Sequence, residues 1–253
     1  MSSAAPGTSG QQPALFLDFD GTLVDIAATP DAVIVTPGLP ELLSSLRARL
    51  GGALAIVTGR PVAGVDQFLP GLGLDACGMH GLERRIAGHT AFPDDLADLS
   101  PRIEQLRARL AVHPGVIIED KRVGVAVHWR TAPDAERDAK AAIDDLARDL
   151  GPAYKVQDGK AVSELVPARA GKGEGVRALM QSEPYMGRRP IFVGDDKTDE
   201  YGFAAVDDLG GIGIKIGPGD TLACFRLSSP AEFRHVMEEW LASGFESVEL
   251  PSA

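Results

Sequence analysis

The stretch ALFLDFDGT at residues 14–22 decides the fold, because an apolar run there ends abruptly in acidic residues. A continuous apolar run is typical of a strand that is buried on both faces of a parallel sheet. Asp18 and Asp20 end the run, and Gly21 lets the backbone turn sharply after them. Open α/β sheets bind their ligands at the carboxyl ends of the strands. The stretch therefore predicts an α/β protein with a functional site at that edge of the sheet.

Strands and helices alternate on both sides of this stretch and again near the C-terminus, which is the rhythm of an α/β sheet. Apolar spacing after the first strand predicts a helix over 39–50, a strand over 53–57 and a helix opened by Pro61. The later part predicts helices over 175–180, 198–206 and 230–241, and strands over 191–193 and 212–216.

The middle of the chain has a different order, in which each charged helix is followed by two strands. This order predicts a small, separate α+β domain that is inserted into the α/β core. Its helices are predicted over 96–110 and 133–150, and its strands over 116–119, 123–130, 154–157 and 161–166. We expect the core to consist of residues 1–93 and 167–253, with 1–13 as a disordered tail, and the inserted domain to be residues 94–166.

Composition narrows the classes of function. The chain has 253 residues and a formal net charge of −11, which opposes the basic face needed for non-specific nucleic-acid binding. It has no apolar run of the roughly 18 residues that span a membrane, and no secretory pattern in its first residues. Cys77 and Cys224 lack metal-site spacing, so we expect two buried thiols. We expect a cytoplasmic monomer with neither nucleic-acid nor membrane partners.

A second acidic cluster, GDDKTDE at residues 194–200, also follows an apolar strand. Asp18 and Asp195 can meet across the sheet edge, and Mg²⁺ usually binds one or two carboxylates together with a substrate phosphate. Of two acids such as Asp18 and Asp20, one can attack while the other handles a proton. The plainer alternatives are a solvated surface turn and a helix cap. We expect Asp199 and Glu200 to cap the helix while Asp195 binds metal.

Two further residues fit an anion site. Thr58 follows the second strand, where its hydroxyl and the amide of Gly59 can hold a phosphate oxygen, although Thr58 could instead cap the next helix. Lys172 stands at the start of a helix, where the helix dipole disfavours a cation. We therefore expect Lys172 to meet an anion.

Taken in order, DFDGT, Thr58, Lys172 and GDDKTDE resemble the four motifs of the haloacid-dehalogenase-like phosphatases. From about residue 14 to residue 240 the chain further resembles the bacterial trehalose-6-phosphate phosphatases, through the segments GMHGLERR, VAVHWR and KAVSELVPARAGKGEGV. The resemblance implies a Rossmann-like core with an inserted α/β cap domain that sets substrate specificity. It also implies Mg²⁺-dependent hydrolysis of a small-molecule sugar phosphate, trehalose 6-phosphate, through an aspartyl phosphate.

The resemblance implies a role for each matching residue. Asp18 resembles the nucleophile, Asp20 the general acid and base, and Thr58 and Lys172 the residues that hold the phosphate. The implied Mg²⁺ ligands are Asp18, the backbone carbonyl of Asp20 and Asp195, supported by Asp196 and Asp199. The implied substrate-binding residues are Gly59, Arg60 and His80 in the core, and Glu119, Lys121, Arg130 and Glu164 in the cap.

Three alternatives stay open. Another sugar-phosphate phosphatase of the superfamily would share the core and differ only in the cap. An aspartate phosphoacceptor domain of a signalling protein needs a long-lived acyl phosphate, which Asp20 is placed to hydrolyse. An inactive carbohydrate-binding protein would not need all four motifs. Without the resemblance, the charged cap residues would indicate a solvated strand. Trp129 stands where the family more often has tyrosine.

Overall fold

The computed structural model describes residues 11–27, 32–92, 96–121, 123–159, 161–168 and 170–245. The chain forms two compact units, one from Met1–Phe92 with Gly171–Ala253 and one from Pro93–Ala170. Each unit has its own cluster of buried apolar side chains. The two are therefore described separately.

The helices and strands run as follows. The first unit begins with β1 (Pro13–Leu17), α1 (Leu39–Arg49), β2 (Leu54–Val57), α2 (Val62–Phe68), β3 (Asp75–Gly78), β4 (Glu83–Ile86) and β5 (His89–Ala91). The second unit contains α3 (Ser100–Leu110), β6 (Ile117–Asp120), β7 (Val125–His128), α4 (Glu136–Leu150), β8 (Tyr154–Gly159) and β9 (Val162–Pro167). The first unit resumes with α5 (Lys172–Leu179), β10 (Arg189–Gly194), α6 (Glu200–Asp208), β11 (Ile212–Ile216), β12 (Phe225–Leu227) and α7 (Pro230–Ser243).

The sheet of the first unit has eight strands within the described residues, in the order β12-β11-β10-β1-β2-β3-β4-β5. The strands from β12 to β3 are parallel, which confirms the predicted α/β class. The hairpin β4–β5 is antiparallel and was not predicted, because β4 is charged and only partly buried and β5 is three exposed residues at the sheet edge. Strand β12 was also missed, since three residues are too short for a clear period.

Register sets where the functional residues of this sheet lie. Leu17 of β1 is level with Val193 of β10 on one side and with Ile56 of β2 on the other. The residues that follow these three strands therefore emerge at one edge of the sheet. Helix α1 supports the sheet through Leu39, Leu42, Leu43 and Leu46, which recur at helical spacing and are buried.

The second unit has an antiparallel sheet in the order β6-β7-β9-β8. Apolar side chains of α3 and α4 pack with those of the sheet to form its core. The helix predicted over 96–110 begins only at Ser100, because Pro101 has no amide hydrogen and fits only in the first turn of a helix. The predicted boundary at residues 93–94 includes residues outside the described ranges.

Two smaller expectations concern membranes and cysteines. Among the described residues, no helix has the length and hydropathy needed to cross a membrane.

Both cysteines are free thiols, and Cys77 is buried while Cys224 is exposed. The expectation of two buried thiols is therefore wrong for Cys224, which precedes the short strand β12.

Candidate active site

The predicted core residues lie around the carboxyl ends of three adjacent strands. Asp18 directly follows β1, Asp195 follows β10 and Thr58 follows β2. Lys172 is the first residue of α5. The ends of three buried strands thus present acidic residues and a hydroxyl at one edge of the sheet, and the start of α5 adds a lysine.

Lys172 is the centre of this arrangement. Its side chain is buried, and Nζ lies 2.8 Å from Oδ1 of Asp18 and 2.7 Å from Oδ1 of Asp199. Oδ1 of Asp196 lies 4.0 Å away. A buried cation is costly unless it is paired, and two buried carboxylates supply the pairing here. The anions that Lys172 contacts are therefore carboxylates of the chain itself.

Burial also changes how these carboxylates titrate. It raises the pKa of Asp18 to about 7, although the nearby charge of Lys172 acts in the opposite direction. It raises the pKa of Asp195 to about 6 and that of Asp199 to about 8, and in both cases neighbouring carboxylates add to the effect. Burial alone would lower the pKa of Lys172, but Asp18, Asp199 and Asp196 hold it above its ordinary value. The single positive charge of Lys172 does not neutralise all the carboxylates around it.

The cluster fits a divalent cation. One ligand atom from each of Asp18, Asp195 and Asp199 lies within 4.8 Å of the others. Oδ1 of Asp195 is buried and has no hydrogen-bond partner among the described residues, so it is available to a ligand. All three donors are carboxylate oxygens, which suit Mg²⁺. The Asp195 carboxylate fills the space that a side chain at Gly21 would need, because a Cβ at that glycine would lie 2.1 Å from Oδ2 of Asp195.

Asp199 stands at the N-cap position of α6 and Glu200 in its first turn, as expected, but the side chain of Asp199 makes no capping hydrogen bond to the helix. Oδ2 of Asp199 accepts hydrogen bonds from the amides of Asp195 and Asp196, each at 2.9 Å, and its other oxygen contacts Lys172. Glu200 accepts from the amide of Leu222 instead. Asp196 stabilises the turn before the helix, since its Oδ1 accepts a hydrogen bond of 2.8 Å from the amide of Thr198. Asp199 therefore fixes the loop that carries Asp195 rather than the helix.

Asp20 has a different neighbour from Asp18. Its carboxylate accepts two hydrogen bonds from Arg60, at 2.6 Å from Nε and at 2.7 Å from Nη2. The guanidinium carbon of Arg60 also lies 5.6 Å from the ring centroid of Phe19 and 5.1 Å from that of Phe68. Paired oxygens and stacked rings together fix the guanidinium in direction and position. Nothing in the sequence spacing indicated that Arg60 holds Asp20.

Thr58, Gly59 and His80 form a connected group. Oγ1 of the buried Thr58 accepts a hydrogen bond from the amide of Arg60 at 3.2 Å, and its carbonyl accepts from the amide of His80 at 3.1 Å. A Cβ at Gly59 would lie 2.9 Å from Cε1 of His80, so this glycine lets the imidazole approach the backbone. The carbonyl of His80 accepts from the amide of Gly171 at 2.7 Å, which links the group to the residue before Lys172.

The predicted sugar-binding residues lie in the second unit. Glu119 and Glu164 are both level with Ala126 on the strand between them, so their side chains share one face of the sheet. Nζ of Lys121 lies 2.7 Å from Oε1 of Glu164. Oε2 of Glu119 lies 3.0 Å from Nε2 of His128, which sequence reasoning did not single out. Arg130 is exposed in the turn after β7.

Comparisons with known proteins agree with this geometry. A family model described as trehalose-phosphatase matches residues 16–230. A probable trehalose-phosphate phosphatase of Sinorhizobium fredii is 46% identical over 206 residues, covering 81% of this chain and 78% of the relative. The trehalose-6-phosphate phosphatase of Escherichia coli is 40% identical over 220 residues, covering 85% of this chain and 81% of the relative.

Solved structures give the same result. The crystal structure of a trehalose-6-phosphate phosphatase related protein has a TM-score of 0.73 and 29% identity, and covers 92% of this chain and 98% of that one. A haloacid dehalogenase-like hydrolase of Bacteroides thetaiotaomicron, 14% identical, shares the fold with a TM-score of 0.65, covering 90% of this chain and 99% of that one. The fold is thus that of the haloacid-dehalogenase-like hydrolases. The chain belongs to the trehalose-phosphatase family and is a phosphatase.

The close approach of Gly21 to Asp195 gives a first prediction. Gly21→Ala places a Cβ 2.1 Å from Oδ2 of Asp195, so it should displace that carboxylate and lower the rate of phosphate release about a hundredfold. Gly38→Ala is the matched control, since Gly38 also has a positive φ, +85°, but has no atom within 4 Å of the added Cβ. The control should cost about 1–2 kcal/mol of stability and leave the rate unchanged. Equal rates in the two variants would show that the space beside Asp195 is not required.

Proposed function

We propose that this protein hydrolyses trehalose 6-phosphate to trehalose and phosphate, with Asp18 as the nucleophile and Mg²⁺ as the cofactor. The observation that carries the proposal is the 2.8 Å contact of Lys172 with Asp18 inside a buried cluster of oxygen ligands. Membership of the trehalose-phosphatase family, and the names of the relatives from Sinorhizobium fredii and Escherichia coli, support the substrate.

Asp18 and Lys172 act together in the proposed first step. A phosphate monoester is a dianion that repels a carboxylate, and the ammonium of Lys172 reduces this repulsion at the oxygen that attacks. Asp18 attacks phosphorus in line with the departing sugar oxygen, so an aspartyl phosphate forms as the bond from phosphorus to that oxygen breaks. Asp18 and Asp195 would hold Mg²⁺, and the bound ion would supply further positive charge for the phosphoryl oxygens.

Asp20 completes the proposed reaction. The sugar oxygen leaves poorly as an alkoxide, so Asp20 in its protonated form gives it a proton, and the carboxylate left behind then removes a proton from the water that attacks the aspartyl phosphate. Its two hydrogen bonds with Arg60 hold the ionised carboxylate, the form that takes the proton from water, in one orientation. We assign Arg60 to orienting Asp20, and the hydroxyl of Thr58 with the amide of Gly59 to holding a phosphate oxygen.

Sugar recognition is assigned to residues of the second unit, in the role of a cap. Trehalose offers many hydroxyl groups, and the carboxylates of Glu119 and Glu164 can accept hydrogen bonds from them. Lys121 pairs with Glu164, and His128 pairs with Glu119, so each carboxylate already has one partner that restricts its rotation. Arg130 and His80 complete the set that is proposed to bind substrate. The cytoplasmic location and the monomeric state stay predictions.

A screen of phosphate release over a set of sugar phosphates tests the proposed reaction. The wild-type protein should prefer trehalose 6-phosphate and should lose activity on exhaustive removal of divalent cations. Asp18→Asn should fall below about one per cent of the wild-type rate, because an amide is a poor nucleophile and a weak metal ligand. Asp25→Asn makes the same chemical change at an exposed residue nearby and should have no effect. Full activity after chelation would contradict the role of the metal.

Sugar recognition has a separate test, which compares two substrates. Replacing Glu119, Lys121 or Glu164 by Ala should lower kcat/KM for trehalose 6-phosphate by roughly ten- to a hundredfold, as expected for a lost polar contact. Hydrolysis of a small aryl phosphate should change little, because it has no sugar. Glu104→Ala, on the exposed side of α3, serves as the control in the same unit. Equal losses with both substrates would show that these residues do not bind the sugar.

A further inference from the structure

Lys215 is a buried lysine that neither the motifs nor the proposed reaction uses. It lies on β11, level with Gly194 of β10, the residue directly before Asp195. Only 4% of its surface is exposed. Enclosing an ammonium inside a sheet costs several kcal/mol unless it finds partners, so its contacts indicate what it is for.

The partners of Lys215 all belong to the segment that follows β10. Nζ donates a hydrogen bond of 2.5 Å to the carbonyl of Asp195 and one of 3.3 Å to the carbonyl of Asp196. Oε1 of Glu200, in the first turn of α6, lies 3.8 Å away. Lys172 contacts the carboxylates of this cluster, whereas Lys215 contacts the backbone beneath them.

These contacts matter because they hold the backbone that carries the Asp195 side chain. Oδ1 of Asp195 has no hydrogen-bond partner among the described residues. The Asp195 carboxyl also interacts with the side chain of Asp18, and its direction depends in addition on the backbone that carries it. That backbone is held on both sides of the residue, by Asp199 at the Asp195 amide and by Lys215 at the Asp195 carbonyl.

We propose that Lys215 is a positioning residue for the metal site, which fixes the backbone of Asp195 so that its carboxylate is oriented for Mg²⁺ before the ion binds. The inference rests on the proposed function, since it assumes that Asp195 is a metal ligand. Mutation of a residue that orients a metal ligand commonly lowers metal affinity or activity by about 10- to 100-fold. We expect an effect of this size for Lys215. Lys215 itself touches neither metal nor substrate in this assignment.

The experiment measures Mg²⁺ binding directly, by titration calorimetry on the full chain without substrate. Lys215→Met keeps the length of the side chain but removes its charge and its donors, and should weaken Mg²⁺ binding roughly tenfold or more. Lys215→Arg keeps both charge and donors and should recover most of the affinity. Lys197→Met is the matched control, since Lys197 lies in the same loop but is exposed, and should bind Mg²⁺ as the wild type does.

Melting temperature in the presence of a chelator separates positioning from simple support of the fold. A residue that only stabilises the sheet would lower the melting temperature and leave the Mg²⁺ dissociation constant unchanged in the folded protein, and that result overturns the proposal. If Lys215→Met does not fold, Lys215→Gln, which retains a donor, replaces it. Failure of both to fold even at saturating Mg²⁺ would also overturn the proposal. If the wild-type protein binds no Mg²⁺, the proposed function is wrong at the metal.

Discussion

The contact of Lys172 with Asp18 and Asp199 is the interaction on which the site depends. Several carboxylates are buried close together at the ends of β1 and β10, and their mutual repulsion would oppose folding if nothing offset it. The buried ammonium of Lys172 lies within 2.8 Å of both partners and offsets part of this repulsion. The remaining negative charge makes the cluster a place where a divalent cation is favourable.

The sheet supplies the geometry for this cluster. Parallel strands that end at the same level place the following residues side by side, as Leu17, Val193 and Ile56 show by their register. The positions of Asp18, Asp195 and Thr58 could be predicted from the sequence, because each follows a short apolar run whose period and length identify a buried strand. This part of the site follows from local pattern alone.

Other parts of the site could not be predicted in this way. The pairing of Arg60 with Asp20 and the inward turn of Asp199 depend on contacts between residues that are far apart or on competing hydrogen bonds. Lys215 lies in the otherwise apolar strand β11, and its sequence position does not indicate that it contacts Asp195. The hairpin β4–β5 was missed because neither the charged, partly buried strand β4 nor the short, exposed strand β5 has a clear apolar pattern. Tertiary contacts determine these features, and the pattern of apolar and polar residues along the sequence does not predict such contacts.

The central claim is that the phosphoryl group is transferred from the substrate to the carboxylate of Asp18 before water releases it as phosphate. Its most direct test is rapid quenching of the reaction of Asp20→Asn with an aryl phosphate that carries radiolabelled phosphate, because an activated phenolate leaves without needing a proton from Asp20. Loss of the base should slow hydrolysis of the aspartyl phosphate, so the account predicts acid-stable label on the peptide that contains Asp18, formed before free phosphate is released. Label on another residue, or phosphate release in the same reaction with no labelled protein at any time, would contradict it.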